Sequence, residues 1–111
     1  IFNSKNYSLF GPLSNSFVRS FYPDKAIMSC RGIDRTSGLT DASIYEIEVK
    51  QVMIEHSRKF ILMADYTKFG LVGAIHLCGL EEIDVLVTDS KVDREELKMF
   101  DELQTEIIIA E

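Results

Sequence analysis

The chain has 111 residues, 46% of them hydrophobic, with 12 basic and 18 acidic side chains and a formal charge of -6. Such a composition suits one globular domain rather than two and is too apolar for a disordered chain. It holds no basic stripe to meet nucleic-acid phosphates and no basic-then-apolar leader, and its apolar runs fall far short of the roughly 20 residues of a membrane helix.

In chain order, Pro12 suits the first position of a helix, because its missing N–H would have no partner there, and a short helix is expected from Leu13 to about Phe21. Lys25-Ala26-Ile27-Met28-Ser29-Cys30 reads as a strand. A stretch with glycines at 32 and 38 and hydroxyls at Thr36, Ser37 and Thr40 leads from it to a helix over Ala42 to Ser57. The stripe of that helix is Ile47, Val49, Val52, Met53 and Ile54, with Asp41 or Ser43 as its N-cap.

The continuous apolar run Phe60-Ile61-Leu62-Met63-Ala64 predicts a strand buried on both faces. Val72 to Leu80 reads as a short extra strand or an edge excursion. Asp84 to Thr88 repeats the buried-strand pattern. A helix follows from about Asp93 to Leu103, capped by Asp93, with Glu95 and Glu96 favouring its positive end. Glu106-Ile107-Ile108-Ile109 is the last strand. Alternating strands and helices predict an α/β domain, a layered Rossmann-like arrangement around a parallel sheet.

Cys30 and Cys78 fall in apolar surroundings and read as reduced thiols. With only two isolated histidines, His56 and His76, they do not make a zinc site; no metal or cofactor is expected, and a cytoplasmic location is. The opening Ile1-Phe2, with no start or cap before it, gives the expectation of a fragment of a longer chain.

Open parallel sheets bind ligands beyond the carboxyl ends of their strands, which selects three stretches: Arg31 to Thr40, Asp65 to Gly70, and Thr88 to Ser90. The first offers glycines for close backbone approach and a helix start for an anion, or glycines that simply allow turns. In the second, Asp65 directly follows an apolar strand and Lys68 is three residues on. The carboxylate suits sugar hydroxyls and the ammonium a phosphate, or the pair is an N-cap with a surface lysine. Thr88-Asp89 reads as a turn and cap. Arg31, Arg35 and Lys50 are further phosphate partners if they are not plain surface charge. Glu46 and Glu48 stand about 200° apart on a helix, so at most one faces a site.

Gly32-Ile33-Asp34, Gly38-Leu39-Thr40, Glu46-Ile47-Glu48-Val49-Lys50, Ala64-Asp65-Tyr66-Thr67-Lys68-Phe69-Gly70 and Val87-Thr88-Asp89 follow one another in order. The series resembles the C-terminal effector-binding domain of the DeoR family of bacterial transcription regulators. Leu9-Phe10-Gly11-Pro12-Leu13 matches that family's turn before a helix. The resemblance implies a fold similar to ribose-5-phosphate isomerase, whose Ala-Asp-x-Ser-Lys segment Ala64 to Lys68 echoes.

It further implies a sensor of a phosphorylated sugar or sugar-derived metabolite that alters repressor binding to DNA. Asp65 and Lys68 would meet the ligand, Gly32, Asp34 and Thr40 would line the neighbouring loop, and Glu48 is a further candidate. Residues 1–111 would then form one partial effector-binding domain, incomplete on its N-terminal side. DNA contact would be left to a helix-turn-helix region outside it, homo-oligomers are expected, and no membrane is. The alternative is a sugar-phosphate isomerase-like enzyme. Arg31 to Thr40 lacks the lysine of the isomerase's Lys-Gly-Gly-Gly stretch, so a means of stabilising enediolate charge is not evident.

Overall fold

The structure, a computed structural model, describes residues 19–111 and the backbone of residues 2–3 and 8–9. The latter form a short antiparallel ribbon of β1 (Phe2–Asn3) and β2 (Ser8–Leu9). The helix expected from Leu13 to Phe21 lies almost wholly outside the described residues; of its described part, Arg19 is helical.

Four strands make the main sheet: β3 (Lys25–Met28), β6 (Lys59–Met63), β8 (Val85–Asp89) and β9 (Glu106–Ala110). All neighbours are parallel, in the order β3-β6-β8-β9, so the expected parallel α/β sheet is present. Backbone bonds from Ala64 N–H to the Val87 carbonyl and from Asp84 N–H to the Phe60 carbonyl extend the β6–β8 ladder at both ends. The Asp84 carboxylate also accepts from Phe60 N–H at 2.7 Å, occupying a donor at the sheet's lower edge.

A second sheet was not foreseen. The stretch after β3, expected as a loop running into a helix, is instead a hairpin of β4 (Gly32–Asp34) and β5 (Gly38–Asp41). Gly38 has φ +72, a conformation L side chains adopt at a cost. The Asp34 carboxylate accepts from Thr36 and Ser37 N–H at 3.0 and 2.8 Å and closes the turn. The extra strand read over Val72 to Leu80 is β7 (Ile75–Cys78), but it runs antiparallel to β5 in this small sheet.

Ile33, Leu39 and Leu77 of the small sheet are buried and join Ala26, Phe60, Leu62 and Leu86 of the main sheet in one core. The helix α1 (Ile44–His56) packs along β7 and β3 and buries Ile47 and Val52. It starts at Ser43, one of the two expected caps, whose carbonyl accepts from Ile47 N–H. The helix expected to reach Leu103 is shorter: α2 (Arg94–Leu97) tightens at once into a 3-10 turn over Lys98–Phe100. Leu97 and Phe100 are buried, so the apolar stripe holds although the helix does not run on.

The strands of the main sheet are not buried on both faces as expected. Ala26, Met28, Phe60, Leu62 and Leu86 point to the covered face, but on the opposite face Ile27, Met63 and Ile108 are 58%, 52% and 44% exposed. An all-apolar strand carries no mark of which side is covered.

Candidate functional site

Asp65 lies just beyond the carboxyl end of β6 and opens a 3-10 turn over Tyr66–Lys68. Its carboxylate accepts from Thr67 N–H at 2.9 Å and from the Thr67 hydroxyl. That hydroxyl bond, then the backbone bond and the Lys68 charge, hold the Asp65 carboxyl below the usual carboxylate range. Asp65 is therefore an anion with two of its acceptor sites spent inside the turn. Lys68 is half-buried at the end of that turn.

The segment after Lys68 is latched onto the hairpin. Gly70 N–H donates to the Ile33 carbonyl at 2.8 Å, and Gly73 N–H donates to Thr40 Oγ1 at 2.6 Å. Between them the Leu71 carbonyl lies so close to Gly32 that a Cβ there would sit 2.1 Å from its oxygen. Gly32 and Thr40 are thus brought beside the Asp65–Lys68 turn. The glycine admits a protein carbonyl, and the buried Thr40 hydroxyl has one lone pair occupied by Gly73.

Asp41, next to Thr40, is 3% exposed, and Lys50 Nζ of α1 meets its Oδ2 at 2.6 Å. The same ammonium donates to the Ser29 carbonyl at 2.9 Å, at the end of β3. Cys30 follows. Burial pushes its thiol up to about 11 and the Asp41 carboxylate pushes the same way, while the Lys50 and Lys68 ammonium groups oppose. Lys50 thus brings a cation to the end of β3, at the sheet's upper edge.

Continuing the strand registers Met28–Leu62–Leu86 by two residues sets Cys30, Ala64 and Thr88 in a row across that edge, on the covered face. All three are buried. Thr88 Oγ1 has no hydrogen-bond partner among the described residues. A buried hydroxyl left unpaired costs on the order of 1–3 kcal/mol. Lys91, in the turn after β8, lies with its Nζ 5.6 Å from the Tyr66 ring centroid, tying the second and third upper loops together. Asp89 accepts from Lys91 N–H, as expected of a turn and cap.

Asp65, Lys68, Gly32 and Thr40 come together through the latch. Asp34 sits at the hairpin tip with its carboxylate committed to the turn; the Ser37 N–H foremost holds it below the usual range. Glu48 is exposed and lies about 200° around α1 from Lys50, whereas Glu46 shares the Lys50 flank. Of the two expected caps Ser43 holds the position, while Asp41 pairs with Lys50, a residue expected as a phosphate partner or plain surface charge. Among the described residues no group of three metal-ligating side chains occurs, and no helix is long and apolar enough to cross a membrane.

Comparison with known proteins agrees with this architecture. The model of the DeoR C terminal sensor domain matches residues 1–90. The chain is 31% identical to an HTH-type transcriptional regulator, GolR, of Listeria innocua serovar 6a, over 100% of this chain and 44% of that protein. It is 36% identical to the transcriptional repressor AccR of Agrobacterium fabrum over 80% of this chain and 35% of that protein. With the glycerol-3-phosphate regulon repressor of Escherichia coli it shares 28% over 78% of this chain and 34% of that one. The chain thus spans less than half the length of these relatives, which carry the names of regulators and not of enzymes. It belongs to the DeoR C-terminal sensor-domain family.

Proposed function

We propose that this domain senses a small phosphorylated sugar or sugar-derived metabolite at the upper edge of the parallel sheet. The observation that supports the reading is the placement of Asp65 and Lys68 just beyond the carboxyl end of β6, latched beside Gly32 and Thr40, with the Lys50 ammonium at the end of β3. Lys68 offers a charge to a phosphoryl group, and the outward acceptor sites of Asp65 suit sugar hydroxyls. The name of the Escherichia coli relative, a glycerol-3-phosphate regulon repressor, fits a ligand of that chemical class. Residues 1–111 form a partial effector-binding domain in this reading. Ligand binding modulates contact with DNA made by a helix-turn-helix region elsewhere in a cytoplasmic, homo-oligomeric repressor.

A panel of sugar and polyol phosphates, each beside its unphosphorylated parent, tests this by the shift in Tm. A ligand at a hundred times its Kd stabilises the native state by about 2.7 kcal/mol. One phosphorylated member should raise Tm while its parent does not, and Lys68→Ala should abolish the shift. An equal shift in Lys68→Ala and the unmodified protein rules out this site.

A further inference from the structure

A cavity of about 260 Å³ lies at the far end of the hairpin from Thr40 and Lys68. The hairpin tip forms one wall, the turn Gly79–Glu81 after β7 another, and Met99 and Leu103 beyond α2 the floor. Small-molecule sites start at about 300 Å³, so this one suits a compact metabolite. Neither Asp34 nor any residue of the Lys68 site lines it.

Its lining combines three chemistries. Leu80, Met99 and Leu103 are apolar, and Leu80 is buried. Arg35, a cationic residue, lines it together with Thr36 and Ser37. His76 Nδ1 lies 2.9 Å from the Ser37 carbonyl, which fixes the ring and leaves Nε2 for another partner. Opposite charge comes from Glu81, whose carboxylate folds back over Gly79 so closely that a Cβ on that glycine would clash with it. Among the described residues neither Arg35 nor Glu81 forms an ion pair.

A cation, an anion and an apolar floor around one small cavity match the three parts of an apolar α-amino acid. We propose that the cavity binds such a zwitterion, as a site separate from the one at Lys68. Arg35 takes the carboxylate in a bidentate pair, Glu81 takes the ammonium group, and the side chain rests on Leu80, Met99 and Leu103.

Isothermal titration of the 111-residue chain with L-leucine and L-methionine tests this, with 4-methylpentanoate and 3-methylbutylamine as analogues lacking the ammonium or the carboxylate. Saturable binding of an amino acid is expected, weakened by about tenfold or more in Arg35→Gln and in Glu81→Gln and for each truncated analogue. Arg35 and Glu81 are both exposed, so their replacement spares the fold. Lys68→Ala should leave amino-acid binding unchanged, whatever it does to sugar phosphates. Failure to saturate by roughly 10 mM, equal binding of 4-methylpentanoate, or loss of binding in Lys68→Ala would overturn the proposal.

Discussion

Lys50 reaches across from α1 to place its ammonium 2.6 Å from the buried Asp41 carboxylate, nine residues earlier in the chain. The two side chains differ in exposure, 21% for Lys50 and 4% for Asp41, so the pair is asymmetric. Removing the lysine strands a buried carboxylate, whereas removing the acid leaves a cation that can turn to water. Lys50→Met should therefore cost about 3 kcal/mol and Asp41→Asn about 1 kcal/mol. Urea denaturation of both variants checks the order, and a larger loss in Asp41→Asn would contradict it.

Gly32 and Gly70 separate two reasons for a glycine. A Cβ on Gly32 meets the Leu71 carbonyl at 2.1 Å, while one on Gly70 meets nothing within 4 Å but has φ +82. Gly32→Ala must push the latch off the hairpin and should cost 2 kcal/mol or more, roughly, by overpacking. Gly70→Ala carries only the left-handed backbone penalty, about 1 kcal/mol. Melting curves should rank them in that order.

The Thr67 hydroxyl is the foremost cause of the low Asp65 carboxyl pKa. Thr67→Val should raise that pKa toward 3.8 in a carboxyl-carbon NMR titration, while the Asp34 carboxyl, held down at the hairpin tip, stays put. Because both folded values lie below the unfolded ones, these acids add stability at neutral pH that is lost as pH falls through the lowered values. Thr67→Val should therefore show a shallower loss of stability below about pH 4 than the unmodified protein.

At the alkaline end the thiols decide the sign. Burial first of all pushes Cys30 up to about 11 and Cys78 up to about 12, both from 9.0. Raised values favour the protonated folded state, so their stabilisation is complete below pH 9 and falls as pH rises toward 11 and 12. Urea midpoints at about pH 8 and pH 10 should show this decline, and Cys30→Ala should flatten part of it. The same burial should make Cys30 slow to react with a thiol reagent in the folded protein.

The parallel strands were legible because Phe60 to Ala64, Val85 to Thr88 and Ile107 to Ile109 are short apolar runs, and α1 because its length exceeds any strand. The hairpin was not, since β4 and β5 have three and four residues, too few for alternation to emerge. A register shift between Leu39 and Thr40 disrupts it further: all four residues of β5 are buried. The glycines there read either as a ligand approach or as turn formers, and Gly32 admits the Leu71 carbonyl while Gly38 takes the positive φ of the turn. Asp65 and Lys68 were visible because a strand end and a family segment both marked them. Asp41 and Lys50 meet only across a strand-to-helix corner, and the Thr88 hydroxyl, without a partner among the described residues, is a property of packing that no spacing records.

The order β3-β6-β8-β9 has a consequence for how the chain is made. Each strand of the main sheet pairs with the main-sheet strand synthesised just before it, always on the growing side. A ribosome releasing about 5–20 residues per second can thus feed the sheet one strand at a time, with no slot held open for a later arrival. The hairpin lacks that convenience: β5 finishes at Asp41 but waits for Ile75 to Cys78 to fill its second edge. Until Gly73 has been made Thr40 lacks its partner and the latch does not exist, and the upper edge of the sheet is complete only once Thr88 at the end of β8 has left the ribosome.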